Sequence, residues 1–227
     1  MISMSLGGGG CSGGVDSDPT EGAAVQAAIA ANVIVIAASG NEGAGAPDAP
    51  GCATGVISVG ATSLDDGQPN GTGLFGGSSS TPIEYVASYS NAGPTISAPG
   101  ADPSSGSDND DLHWIENIWT STPFDTTNDA GNCNGDYPSE TGTADCRILI
   151  AGTSMATPHV AGLAALILAV GGSTYQNPTT MKNFLCSTVD DLNNQAGHTG
   201  SPGTNQGCGR INAYRAIATL VGDSPLP

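Results

Sequence analysis

The chain has few basic residues, and this scarcity excludes some classes of protein. Its 227 residues include 4 Lys and Arg against 21 Asp and Glu, which gives a formal net charge of -17. We expect no nucleic acid partner, because binding to phosphates requires a basic face. The acidity is typical of a secreted or salt-adapted chain, and a solvated acidic surface explains it as well as an acidic binding role does.

Long apolar runs and metal-ligand spacings are also lacking. The apolar stretch 163–170 is much shorter than the roughly 20 residues that a membrane-spanning helix needs, so it predicts a buried helix and no membrane contact. The sequence has no Cys-x-x-Cys pair, and none of its three histidines lies at ligand spacing from a cysteine. We therefore expect no metal site built on cysteine.

The six cysteines indicate an oxidising compartment. An even number of cysteines favours full pairing, and a secreted, extracellular location follows from that expectation. Six cysteines allow about 15 pairings, and their spacing alone does not choose among them.

Strands and helices alternate along the chain, which predicts a single α/β domain with a doubly wound, mostly parallel sheet. Asp18-Pro19-Thr20-Glu21 predicts a helix start, with Asp18 as N-cap and Glu21 closing a capping box. Residues 101–146 are rich in Asp, Asn, Ser, Gly and Thr, which predicts a loop insertion. Strands are expected at 2–6, 33–37, 56–60 and 96–98, and helices at 18–31, 154–168, 177–186 and 212–220.

Two motifs carry the chemistry. Gly152-Thr153-Ser154 is a tight turn that opens an apolar helix, where free N–H groups stabilise developing negative charge. Ser39-Gly40-Asn41 follows a Val/Ile-rich strand, at the sheet edge where α/β proteins build their sites. The Asn41 amide is suited to donate to an oxyanion, although Asn-Glu-Gly also suits a simple turn. Its position after a buried strand and upstream of Ser154 favours the oxyanion role.

Together these motifs resemble those of the subtilisin-like serine proteases, and the similarity extends over nearly the whole chain in the right order. The resemblance implies Ser154 as the nucleophile, with Asn41 and the backbone N–H of Ser154 as oxyanion donors. It also implies a polypeptide substrate. Substrate-binding residues are expected in two segments, namely Ser5, Leu6 and Gly7, and Ala38, Ser39 and Gly40. The small side chains around the second segment predict a pocket open to large apolar side chains.

The resemblance also implies three disulfides and leaves calcium open. The expected pairs are Cys11–Cys52, Cys133–Cys146 and Cys186–Cys208. Calcium is common in the family, and the acidic stretch 108–111 is a possible contributor, but it lacks an EF-hand spacing and fits a solvated loop better. No cofactor is otherwise expected.

The sequence departs from the family in its catalytic triad. Family members place an Asp-Thr/Ser-Gly motif and a His-Gly-Thr motif before the strand that matches Ile2–Leu6, and neither motif occurs in this sequence. We expect residues 1–227 to be the C-terminal part of a subtilisin-like catalytic domain, without its N-terminal strands and helices. His113 and His198 are expected in exposed loops and His159 as a packed, non-catalytic residue. A two-chain protease, a truncated protease and an inactive peptide- or partner-binding member all remain open.

Overall fold

A computed structural model describes residues 1–65, 83–102, 118–120, 146–148, 151–194 and 205–223. These residues form a sheet of five strands with helices packed against it, as the alternating pattern predicts. The strands are β1 (Ile2–Met4), β2 (Cys11–Ser12), β3 (Val15–Asp16), β4 (Val35–Ala38), β5 (Ile57–Asp65), β6 (Ile83–Val86), β7 (Ile96–Pro99), β8 (Ile118–Thr120) and β9 (Cys146–Ile148). The helices are α1 (Pro19–Ala30), α2 (Thr153–Gly171), α3 (Pro178–Ser187) and α4 (Ala213–Val221), with 3-10 turns at Gly172–Gln176 and Leu192–Asn194.

The main sheet is parallel except at one strand. Its order is β1-β4-β5-β6, and β7 pairs with β5 as well. The β1–β4, β4–β5 and β5–β7 pairs are parallel, whereas β6 runs antiparallel to β5. The predicted fold class, an α/β protein with a doubly wound, mostly parallel sheet, is confirmed. Strand β6 and the second half of β5 were not predicted. Polar residues such as Thr62 and Ser63 interrupt the apolar run of β5, and its pairing with β6 keeps them in the sheet.

The predicted helix starts are confirmed, with one correction. Asp18 caps α1, because its Oδ1 accepts from the N–H groups of Thr20 at 2.8 Å and Glu21 at 3.2 Å. The capping box is wrong: the Asp18 N–H donates to Asp16 Oδ1 at 2.8 Å and leaves Glu21 no backbone donor there. Burial raises the pKa of Glu21, and the neighbouring Asp16 raises it further.

The longest helix, α2, forms the centre of the core. It packs on β4, β5 and β7 through buried residues that include Val160, Leu163 and Ile167. The span Thr153–Gln176 has the length and mean hydropathy, 1.6, of a membrane-crossing helix. Its packing on the sheet is typical of a core helix, and we interpret it so. Leu166 and Val170 on the same helix remain 51% and 47% exposed.

Two of the three predicted disulfides are present. Cys11 and Cys52 are bonded across 41 residues, and Cys186 and Cys208 across 22 residues. Cys133 lies outside the described residues, so the Cys133–Cys146 pairing stays a prediction. The predicted insertion at 101–146 also stays a prediction in its bounds. Strand β8 lies inside this range and pairs antiparallel with β9, which begins at its last residue.

Candidate active site

Ser154 is the second residue of α2, where the sequence predicts it. Gly152 is the N-cap of the helix and supplies no side chain there. The Ser154 hydroxyl donates to the carbonyl oxygen of Ser5 at 3.1 Å, which brings two segments 149 residues apart together. The predicted nucleophile and the first predicted substrate segment are therefore neighbours.

The first turn of α2 leaves one N–H available beside that hydroxyl. The Thr153 N–H donates to Asn41 Oδ1 at 2.8 Å, and the Met155 N–H donates to the Gly152 carbonyl at 2.9 Å. Within the described residues, the Ser154 N–H between them has no acceptor. A free N–H at a helix N-terminus is a ready donor to an anion.

Asn41 lies against the same turn. Its Oδ1 accepts from both the backbone N–H of Thr153 at 2.8 Å and the Thr153 hydroxyl at 2.9 Å. These two bonds fix the carboxamide and leave its Nδ2 group without an acceptor in the described part of the chain. Asn41 Nδ2 and Ser154 N are thus two unused donors, on residues that Thr153 holds together, and such donors can stabilise an oxyanion.

Thr153 completes this contact from a buried position. The Gly40 N–H donates to the Thr153 hydroxyl at 3.2 Å, so Thr153 joins both residues of the Gly40-Asn41 pair to α2. Gly40 has a φ of +104°, a conformation that residues with side chains rarely adopt. The sequence analysis proposed Asn41 and Ser154 as site residues but missed the role of Thr153. The position of Thr153 between Gly152 and Ser154 was the signal that could have indicated it.

Asn91 supports the loop that carries Asn41 through hydrogen bonds, and the sequence analysis did not identify it. It is fully buried. Its Nδ2 donates to the Ser39 carbonyl at 3.0 Å and to Glu42 Oε2 at 2.9 Å. Its Oδ1 accepts from the N–H groups of Glu42 at 3.1 Å and Ala44 at 2.8 Å. One side chain therefore satisfies four groups of the segment that carries Asn41.

The turn after β7 supports the other side of the site. The Gly152 N–H donates to the Gly100 carbonyl at 2.9 Å, and the Tyr89 hydroxyl donates to the same carbonyl at 2.8 Å. Burial raises the pKa of Tyr89, and the Asp102 carboxylate raises it further, so the hydroxyl stays protonated. A Cβ at Gly100 would contact the Cβ of Ala61, which explains the glycine at this position.

Two carboxyl groups lie beside Gly40 of the second predicted substrate segment. Glu42 Oε2 accepts from the Asn41 N–H at 2.8 Å and is hydrogen bonded to Asp48. Desolvation acts to raise the pKa of Glu42, but hydrogen bonds from Asn91 and from backbone N–H groups outweigh it and lower the pKa. Burial raises the pKa of Asp48, and the Glu42 charge raises it further. Two acidic groups therefore lie beside the segment for which the sequence predicts a pocket open to large apolar side chains, and that pocket stays a prediction.

The described residues bring no histidine to Ser154. His159 is exposed on α2, where its Nδ1 lies 2.9 Å from the Met155 carbonyl oxygen of its own helix. The expectation of a packed His159 is therefore wrong, because its position on α2 faces away from the sheet. His113, His198 and the acidic stretch 108–111 lie outside the described residues. Among the residues that are described, no group of three His, Cys, Asp or Glu is placed to hold a metal.

Comparisons with known proteins identify the family of the chain. The model of the Subtilase family matches residues 1–209, and the chain belongs to that family. Halolysin from Haloferax mediterranei is 30% identical over 193 residues, which are 84% of this chain and 25% of halolysin. Thermitase from Thermoactinomyces vulgaris is 27% identical over 219 residues, or 96% of this chain and 53% of thermitase.

Solved structures agree on the fold. A protease from Pseudoalteromonas arctica has a TM-score of 0.62 and 26% identity, covering 96% of this chain and 50% of its own. The prenylagaramide maturation protease PagA, at 24% identity and a TM-score of 0.56, supports the fold alone. The chain spans between 25% and 53% of the length of halolysin and thermitase.

Proposed function

We propose that this chain carries the nucleophile half of a serine endopeptidase site. Ser154 Oγ attacks the peptide carbonyl, and Asn41 Nδ2 and Ser154 N donate to the oxyanion that forms. The observation that supports this most strongly is the pair of hydrogen bonds from Thr153 to Asn41 Oδ1, which we call the Thr153 clamp. It leaves both donors unused beside the Ser154 hydroxyl. One such donor is worth about 3–4 kcal/mol of transition-state stabilisation.

The catalytic histidine and aspartate are proposed to come from a separate polypeptide segment. A serine hydroxyl needs a base to become a strong nucleophile at neutral pH. This sequence has neither a His-Gly-Thr nor an Asp-Thr/Ser-Gly motif. In the described residues the Ser154 hydroxyl donates to the backbone carbonyl of Ser5, which is not a base.

The surface beside Ser154 suits such a segment. Strand β1 pairs with β4 on one side, and within the described residues its other edge carries no partner. Ile2 and Leu6 at this edge are 42% and 51% exposed, and α2, which packs near β1, exposes Leu166. A sheet edge next to exposed apolar side chains is a site for further strand pairing.

An oxidising compartment is proposed as the place where the chain folds. The two bonded cysteine pairs support it, and a secreted location follows. Mass spectrometry of the chain from its source, under non-reducing conditions, tests this. Free thiols at Cys11, Cys52, Cys186 and Cys208 would contradict it.

The test of the function is a complementation assay. The 227-residue chain is assayed on an internally quenched peptide, alone and together with a co-expressed polypeptide that carries the Asp and His motifs. We expect Ser154-dependent hydrolysis only in the combined sample, with Ser154→Ala as the inactive control. Peptide binding without turnover in the combined sample would instead favour an inactive peptide-binding protein. Strong Ser154-dependent turnover by the chain alone would contradict the separate-segment proposal.

A further inference from the structure

The carboxyl group of Asp16 is buried, and one of its two oxygens lacks a hydrogen bond. Asp16 ends β3 and is 6% exposed. Its Oδ1 accepts from the Asp18 N–H at 2.8 Å. Its Oδ2 has no partner among the N–H and hydroxyl groups of the described residues. Because a buried carboxylate oxygen without a partner costs free energy, this atom requires a donor.

Glu21 is the side chain in a position to supply that donor. Asp16 lies against the first turn of α1, because a Cβ placed on Gly22 would be 3.0 Å from Asp16 Cβ. Glu21 directly precedes Gly22. The Asp18 N–H, which a capping box would give to Glu21, is donated to Asp16 instead. The Glu21 carboxyl group is within hydrogen-bonding reach of the Asp16 carboxyl group.

The surroundings of Glu21 favour its protonated form. Burial raises the pKa of Glu21, and the charge of Asp16, a hydrogen bond with Asp16 and the charge of Asp18 raise it further. The salt bridges of the described residues join arginines to Glu84 and Asp190, and none of them reaches this group of acids. Strands β2 and β4 add no titrating group, since Cys11 is in a disulfide and β4 is Val-Ile-Ala-Ala.

The two carboxyl groups lie where the hairpin of β2 and β3 meets α1. Cys11 of β2 is paired with Asp16 of β3, and the Ser17 N–H donates to the Gly10 carbonyl at 2.9 Å. The disulfide from Cys11 to Cys52 joins the hairpin to the segment before β5. A change at Asp16 therefore acts on the junction between this hairpin and the start of α1.

We propose that Asp16 and Glu21 share one proton in the folded chain, and that this proton fastens the hairpin to the start of α1. Glu21 carries the proton and donates it to Asp16 Oδ2, which remains a carboxylate. When the pH rises, the proton passes to water, the two carboxylates repel each other and the contact weakens. This inference goes beyond the proposed function and does not depend on it.

The direction of the pH dependence follows from the linkage between proton binding and folding. The pKa of Glu21 in the folded chain lies above its ordinary value of 4.5, so the folded chain binds this proton more tightly than the unfolded chain does. The stabilisation is complete at pH values below 4.5 and is lost as the pH rises through the pKa that Glu21 has in the folded state.

Urea unfolding of the unchanged chain and of Glu21→Gln, at about pH 4 and about pH 8, tests the proposal. The glutamine amide donates to Asp16 Oδ2 at both pH values, as the protonated acid does at the lower one. We expect similar stability at the lower pH. At the higher pH the ratio of folded to unfolded chain should be about tenfold larger for Glu21→Gln. Carbon-13 NMR of the unchanged chain should show the Glu21 carboxyl group titrating above its ordinary pKa of 4.5.

A double-mutant cycle with Asp16→Asn separates the pair from the net charge of -17. Removal of any carboxylate relieves the general repulsion, and effects of that kind add. In a pair that lacks one proton, either substitution supplies the missing donor. At about pH 8 the double variant should therefore be no more stable than the better single variant.

Several results would overturn the shared proton. One is the same difference in stability between the unchanged chain and Glu21→Gln at both pH values. Others are additive gains in the cycle and a Glu21 carboxyl group that titrates at or below its ordinary pKa. Calcium chloride added at about pH 8 provides a further check. A stabilisation of the unchanged chain that Glu21→Gln does not show would mean that the two carboxylates hold a cation in place of a proton.

Discussion

Asn41 Oδ1 accepts two hydrogen bonds from Thr153, one from its N–H at 2.8 Å and one from its hydroxyl at 2.9 Å. The two residues are 112 positions apart in sequence. Their contact orients the Asn41 amide and fixes the loop after β4 to the start of α2. The proposed oxyanion site therefore depends on a residue that itself need not touch the substrate.

Thr153→Val should destabilise the chain. The substitution conserves shape but leaves the buried Gly40 N–H without its acceptor, which costs about 1–3 kcal/mol. Urea unfolding measures the change. Thr157→Val is the matched control, because the Thr157 hydroxyl donates only to the Thr153 carbonyl of its own helix, at 2.8 Å, and its loss orphans no N–H. Equal losses in the two variants would show that the Thr153 clamp adds nothing.

Asn91→Ala should be more damaging than Thr153→Val. It removes a buried amide that satisfies four groups of the 39–44 segment, and we expect a loss of about 3 kcal/mol or more in the free energy of unfolding. In the complemented enzyme, kcat should fall more than KM rises, because the loop positions Asn41 for the transition state. An unchanged kcat in a folded variant would remove Asn91 from the support of the site.

The two disulfides should contribute unequally. Their loops span 41 and 22 residues, and the chain-entropy relation gives the longer loop an advantage of about 0.5 kcal/mol. Two double variants test this, one with Cys→Ser at Cys11 and Cys52 and the other with Cys→Ser at Cys186 and Cys208. Urea unfolding measures the loss of stability in each variant, which we expect to be about 2–5 kcal/mol. No loss in either double variant would contradict a structural role.

Asp191 should make stability depend on pH on the acid side. Its Oδ1 accepts from the Asn193 N–H at 2.9 Å and from Gln206 Nε2 at 2.8 Å. The bond from the Asn193 N–H lowers the pKa of Asp191 below its ordinary value of 3.8, and Gln206 lowers it further. The folded state therefore binds this proton less readily than the unfolded state does. The stabilisation of the folded state by the Asp191 carboxylate is complete at pH values above 3.8. It is lost as the pH falls through the pKa that Asp191 has in the folded state.

Unfolding of the unchanged chain and of Asp191→Asn over pH 2 to 6 provides the check. The unchanged chain should lose more stability toward low pH than the variant, which has no carboxylate to protonate at this position. Parallel curves for the two proteins would show that Asp191 does not contribute.

The fold and the meeting of the Asn41 loop with the start of the Ser154 helix were predictable because their signals are local. Buried parallel strands read as apolar runs, and Asp18 and Asn177 cap helices through contacts with the next two or three residues. The Ser154 turn and the Asn41 loop are likewise contiguous motifs. Strand β6 was not predicted, since four residues with little alternation carry a weak signal.

The support of the site was not predictable, because it depends on long-range contacts between residue types with many uses. Asn91 in a Ser-Asn-Ala-Gly turn is typical of a loop, and only its burial against the 39–44 segment reveals its role. Asp48 reads as one acid among many in a chain with 21 Asp and Glu. Its place between Gly7 and Gly40 results from the packing of three segments, which no local pattern encodes.

The central claim is that Ser154 becomes a nucleophile when a base is supplied beside Asn41. A fluorophosphonate reagent, which bonds covalently to activated serines, tests it directly, with peptide mass spectrometry to locate the label. The account predicts labelling of Ser154 in the complemented enzyme, little in the chain alone, and a strong decrease in the complemented Asn41→Ala variant. Labelling of another serine, or an unlabelled Ser154 in a complex that hydrolyses peptides, would contradict it.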